Sequence, residues 1–147
     1  MCLEPQSGGR RARISQAREP NVTVAGFQAP LSFLNAYRFR RDILDALQSS
    51  PQKAQLIVLE ATGIIEIDFT AAQILRDLIR RCHADGVDFA IARVESVRAQ
   101  AGMARFGINE LLGSDHLFRS VEEAFQALGK QGPNKDKFHL VDPEFLL

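Results

Sequence analysis

Apolar residues run unbroken through Leu56-Ile57-Val58-Leu59, without the alternation of a strand that is wet on one side. Such a run suits a strand buried on both faces, as in a parallel sheet covered by helices. A helical stripe follows, in which Ala71, Ile74, Leu75, Leu78, Ile79 and Cys82 recur every three or four positions. Arg76, Asp77, Arg80 and Arg81 fall off the stripe, and Asp77 is placed to pair with Arg80 or Arg81. Asp85-Gly86 then supplies a residue that tolerates the left-handed conformation at a helix end.

The same alternation repeats on either side. Asn21–Phe27 has the apolar–polar rhythm of a strand. Pro30 confines Leu31-Ser32-Phe33 to a short strand or a sheet edge. Asn35 is the expected N-cap of a helix that buries Ala36, Phe39, Ile43, Ala46 and Leu47 and ends at Ser49-Ser50-Pro51. Val87–Val94 reads as the next core strand, and Ser96–Phe106 as a third helix closed by Gly107. The stretch INELLGSDHLF reads as a loop running into a short strand at Leu117-Phe118. Ser120 with Glu123 forms a capping box for a last helix that buries Val121, Ala124, Phe125 and Leu128 and stops at Gly129. Strands alternating with helices predict a layered α/β domain over residues 21–129. Residues 1–20 read as a weakly ordered basic extension, and 130–147 as a polar tail with the apolar tip Phe145-Leu146-Leu147.

Composition narrows the function classes. A chain of 147 residues, 46% hydrophobic and 24% charged, suits one ordinary soluble domain. Eighteen basic and eighteen acidic side chains cancel, so net charge makes no case for nucleic acid or an anionic membrane. Arg10, Arg11, Arg13 and Arg18 read as a solvated leader, with a juxtamembrane cluster as the sharper alternative. Cys2 and Cys82 lie far apart, which fits a reduced, cytosolic setting and no metal or redox spacing. No apolar run reaches the roughly 18–20 residues of a spanning helix, and the polar N-terminus does not resemble a signal peptide.

No strand runs into a glycine-rich phosphate loop. His83, His116 and His139 are scattered without ligand spacing, and His83 and His116 read as exposed surface residues. Glu60, Glu66 and Asp68 cluster in sequence, yet no nucleophile or base completes a set, so no catalytic residue, metal ligand or cofactor is expected. The chain does not read as an enzyme. The polar groups at Ile67-Asp68-Phe69-Thr70 suit a helix start instead. Thr70 with Gln73 has capping-box spacing, and Asp68 could cap in its place. Phe69, in the connecting turn, is either tucked into the core or offered to a partner. A phosphate on Thr70 is the weaker idea, since a capping hydroxyl is already engaged.

In order, LIVLEATGIIEIDFTAAQILRDLIRRCHADGVDFAIARV and GINELLGSDHLFRSVEEAF resemble a STAS domain, the fold of anti-sigma-factor antagonists and of the cytosolic ends of SulP-type anion transporters. The match covers about Asn21–Gly129, with Ile67, Asp68, Thr70, Gly86, Gly107, Gly113, Phe118, Ser120 and Ala124 in place. Ala29-Pro30-Leu31-Ser32-Phe33-Leu34-Asn35-Ala36 is similar to the segment preceding the first helix in SulP STAS domains. The resemblance implies a mostly parallel central sheet of four or five strands with about four helices. It further implies a regulatory, non-catalytic domain at the inner face of a membrane, with partner contacts at Glu66, Asp68, Phe69 and Thr70. The partner would be the membrane domain of a sulfate/anion transporter, in cis or in trans, or another signalling protein. The family alternatives are a free-standing antagonist-like module or a weak nucleotide sensor, and a homodimer is compatible with either. Antagonists carry a phosphorylatable Ser where this chain has Phe69, so that switch cannot operate here.

Overall fold

A computed structural model describes residues 13–16, 21–49 and 53–129. Five strands form one sheet in the order β1-β2-β3-β4-β5: β1 (Arg13–Gln16), β2 (Val22–Gly26), β3 (Leu56–Glu60), β4 (Asp88–Ala92) and β5 (Leu117–Phe118). Strands β2 to β5 are parallel, in registers such as Val24↔Val58 and Val58↔Ala90, while β1 runs antiparallel on the outer edge of β2. The parallel strands are joined by α1 (Ala36–Ser49), α2 (Phe69–Ala84), and the pair α3 (Val97–Arg105) and α4 (Ile108–Leu112). A further helix, α5 (Val121–Ala124), continues into a wider turn over Phe125–Gly129.

The unbroken apolar run of β3 is buried on both faces, as its pattern requires. Ile57 and Leu59 join the larger core with Phe39, Ile43, Leu75, Leu78, Phe89 and Ile91, under α1 to α4. Leu56 and Val58 join the smaller one with Val22, Ala90 and Ala124, under α5. A strand advancing one place per crossover, with all crossover helices on one face, is the topology that right-handed connections produce. All seven of the buried residues of α2 lie on or beside the predicted stripe, and Asp77 pairs with Arg80 at 3.3 Å. Cys82 lies in that stripe, and burial pushes its thiol up to about 11, so it is inert packing at neutral pH.

Three local readings are corrected. Arg13–Gln16, inside the stretch read as a weakly ordered extension, has strand backbone because β2 offers it an edge. Ile108–Leu112, read as loop, is helical, a five-residue helix being too short to display a period. Asn35 does not cap forward. Its Oδ1 accepts from the Ser32 amide at 2.9 Å and its Nδ2 donates to the Pro30 carbonyl at 2.9 Å, folding the preceding segment back on itself. At the last helix Ser120 caps the Glu123 amide at 3.1 Å, and the Glu123 carboxylate reaches back to the Arg119 amide at 3.0 Å.

His116 is also not the free surface residue that its loop position suggested. Its ring is half-buried between Asp88, 2.9 Å from Nε2, and Asp115, 3.0 Å from Nδ1. The Asp88 hydrogen bond dominates and raises the imidazole to about 9, opposed by desolvation. Its folded pKa exceeds its ordinary value of about 6.5, so the stabilisation is complete below that value and is lost as pH rises through about 9. Allowing for solvent screening, stability should fall by about 1–2 kcal/mol between pH 6 and pH 9.5. Urea unfolding at the two pH values checks this, and His116→Gln should flatten the difference.

Candidate functional site

The chain leaves β3 at Glu60 and crosses Thr62-Gly63 before reaching Ile65–Asp68 at the mouth of α2. This turn is held from two other segments. Leu31 pairs with Ile67 as an isolated parallel bridge: its amide donates to the Glu66 carbonyl at 2.8 Å, and its carbonyl accepts from the Asp68 amide at 3.1 Å. From the other side, the Ser96 hydroxyl donates to the Ile65 carbonyl at 2.5 Å while its oxygen caps α3 at the Ala99 amide, 3.3 Å away. Gly102 of α3 packs so closely that a Cβ there would lie 2.5 Å from Ile67 Cγ2.

Asp68 is the N-cap of α2. Oδ1 accepts from the Ala71 amide at 2.7 Å, and Oδ2 accepts from the Phe33 amide at 2.9 Å. One carboxylate thus starts a helix and fastens the segment before α1, where the positive end of α2 favours its charge. Thr70 therefore does not cap. It sits in the first turn of α2, exposed, and its hydroxyl makes no hydrogen bond among the described residues. The premise that its hydroxyl is already engaged falls away.

Phe69, the first residue of α2, is 59% exposed and packs edge-to-face with Phe106, with ring centroids 5.7 Å apart at 77°. Of the two fates open to it in the sequence, the structure shows the exposed one. Glu66 is exposed as well and has no ion-pair partner among the described residues. The four residues singled out in sequence are neighbours on one chain segment. Sequence reasoning missed what surrounds them: Phe33, Leu34, Tyr37, Ile65 and Val97 are large apolar side chains exposed by more than half, on segments tied to the same turn. The available signal was that Tyr37 falls off the stripe of Ala36, Phe39 and Ile43, and that Phe33-Leu34 follows a proline that interrupts pairing.

All of these lie beyond the C-terminal ends of the parallel strands, where open α/β sheets usually present their binding surface. Among the described residues no group of three His, Cys, Asp or Glu side chains could hold a metal ion. No helix among them is long and apolar enough to cross a membrane.

Comparison with known proteins agrees with this architecture. Residues 13–124 match the family model of the STAS domain. A "Probable sulfate transporter" of Mycobacterium tuberculosis is 34% identical over 119 residues, which is 78% of this chain and 20% of the relative. The chain thus spans about a fifth of that relative's length. The SulP transporter STAS domain from Vibrio cholerae shares the fold at a TM-score of 0.60 and 23% identity, over 80% of this chain and 86% of that one. An anti-sigma factor antagonist from Mycobacterium paratuberculosis does so at 0.65 and 12%, over 80% and 92%. With the model matched from β1 into α5, and a transporter relative more than 30% identical across most of the chain, this protein belongs to the STAS-domain family.

Proposed function

We propose that the chain acts as a regulatory, non-catalytic cytosolic STAS domain of a SulP-type sulfate/anion transporter, through protein contacts around the start of α2. The observation that carries this is Phe69. A large aromatic stands 59% exposed on a turn that hydrogen bonds hold from two sides. An exposed aromatic on a rigid base loses little entropy on binding, which is the usual character of an interface anchor. The transporter relative supports a membrane domain of that class as partner, in cis or in trans. Regulation then requires that this surface bind one conformational state of the partner more tightly than another.

A second reading, an antagonist-like signalling module, is supported by the fold likeness at a TM-score of 0.65. It would have to work without phosphorylation at the position after Asp68, which Phe69 occupies.

Phe69→Ala separates surface from scaffold. The ring is exposed, so stability should change by less than about 1 kcal/mol. Capture of the membrane domain of a sulfate-class transporter should weaken about tenfold, the loss expected of an aromatic anchor. Affinity measured with purified membrane domain checks this, and undiminished binding would reject the contact surface.

A further inference from the structure

Beside Phe69, between α2 and the α3–α4 pair, opens a cleft of about 460 Å³, whose lining combines the apolar Phe69, Phe106 and Leu111 with the charged Arg76, Arg105 and Glu110. Two guanidinium groups against one carboxylate leave a surplus of one positive charge. None of the three makes an ion pair among the described residues. Arg76 is the stranger of the arginines. Its Nε is the one buried side-chain nitrogen or oxygen without a hydrogen-bond partner among the described residues. The guanidinium lies against Gly107, where a Cβ would stand 3.7 Å from Cζ and 3.8 Å from Nη1. Gly107 has φ +78, a conformation that favours glycine, so the closeness of its backbone to Arg76 is built into the α3–α4 turn. A buried N–H without an acceptor is destabilising, and a guanidinium is matched in shape and charge by a carboxylate.

We propose that this cleft is a carboxylate-binding pocket that takes an Asp or Glu side chain of the partner protein, with a neighbouring apolar residue seated on Phe69 and Phe106. The inference rests on the docking reading above and names the chemistry of the partner. The carboxylate takes the donors of Arg76 and Arg105, and a shift of the Arg76 side chain toward it brings Nε out of unpaired burial. Glu110 on the lip repels a second acidic group, so the pocket accepts one carboxylate rather than an acidic run. The apolar contact supplies the part of recognition that a free inorganic anion lacks.

The test follows the Arg76 Nε–Hε signal of the full chain by nuclear magnetic resonance while capped dipeptides are added. Acetyl-Phe-Glu-amide should move that signal and the ring protons of Phe69 and Phe106. Acetyl-Phe-Gln-amide should bind about tenfold more weakly or worse, the loss expected when a charge-assisted pair is removed. Arg76→Gln and the exposed Arg105→Gln should each abolish the preference for Glu over Gln, while Arg80→Gln, outside the cleft, should keep it. Equal response to both dipeptides, or a preference that survives Arg76→Gln, overturns the proposal. Acetate acting as strongly as the Glu dipeptide also overturns it, because the site would then be one for small free anions. The chain's own Asp142-Pro143-Glu144-Phe145 has the same acidic–apolar character. If Glu144→Gln moves the Arg76 signal before any probe is added, the assignment to a partner is likewise overturned. Should Phe69→Ala lose the membrane domain while the dipeptide leaves Arg76 unmoved, the pocket fails and the docking reading stands. Should the dipeptide bind while Phe69→Ala keeps its partner, the docking reading fails and takes the partner assignment with it.

Discussion

Gly63→Ala is expected to destabilise the domain by about 3 kcal/mol and to loosen the clasp on the turn before α2. A methyl group at this position would lie 2.5 Å from Gln28 Cα and 2.7 Å from the Phe27 carbonyl oxygen. Both are backbone atoms, so no side-chain rotation can make room. Either the Thr62-Gly63 turn or the segment after β2 must move, and that segment leads straight to Leu31 and Phe33. The expected result is a lower urea midpoint with shifted amide signals at Leu31, Phe33 and Asp68. Gly86→Ala is the comparison. Its added Cβ meets nothing within 4 Å, but its φ is +76, so it should cost only about 1 kcal/mol from left-handed strain, without disturbing those amides. If Gly63→Ala costs no more than Gly86→Ala, close backbone approach is not what holds the two loops together.

The parts of this fold that were legible in sequence are those with enough length to show a period. Leu56–Leu59 announces a strand buried on both faces, and the stripe from Ala71 to Cys82 announces which face of α2 packs, because burial dictates residue type at every turn. The backbone of Arg13–Gln16 pairs along an edge, and α4 has only five residues, so neither imposes a pattern that can be read. The site divides in the same way. Phe69 stands out as an aromatic in a turn, but the spacing of Thr70 and Gln73 pointed to Thr70 as the cap with Asp68 as the alternative, and only the fold shows that Asp68 takes that place. The clasp of Leu31 on Ile67 leaves no mark, since it joins backbone groups far apart in sequence and backbone groups are common to every residue. The exposure of Phe33 and Leu34 was hidden for a related reason. Apolar residues next to a proline look like strand or core until the fold shows what fails to cover them.

The largest effect at the site itself is expected from Asp68→Ala, about 2–3 kcal/mol of stability. Both carboxylate oxygens are engaged, one at the partly buried Ala71 amide and the other at the exposed Phe33 amide, and removing them loses two charge-assisted hydrogen bonds at once. Asp68→Asn separates the two roles. Asn caps a helix about as well as Asp, so its oxygen keeps the Ala71 bond, while its NH₂ group cannot accept from Phe33. The loss should then be about 1 kcal/mol, and hydrogen exchange should speed up at the Phe33 amide but not at Ala71. Capture of the partner should fall in both variants, because Phe33 and Phe69 lose their common anchor even though Asp68 need not touch the partner. In the proposed contact surface, a loss of capture in both variants would mark Asp68 as a residue that positions Phe33 and Phe69. Equal exchange at Phe33 in the Asp68→Asn variant and the native chain would show that Oδ2 is dispensable. Asp68→Ala costing under about 1 kcal/mol would show that neither bond matters.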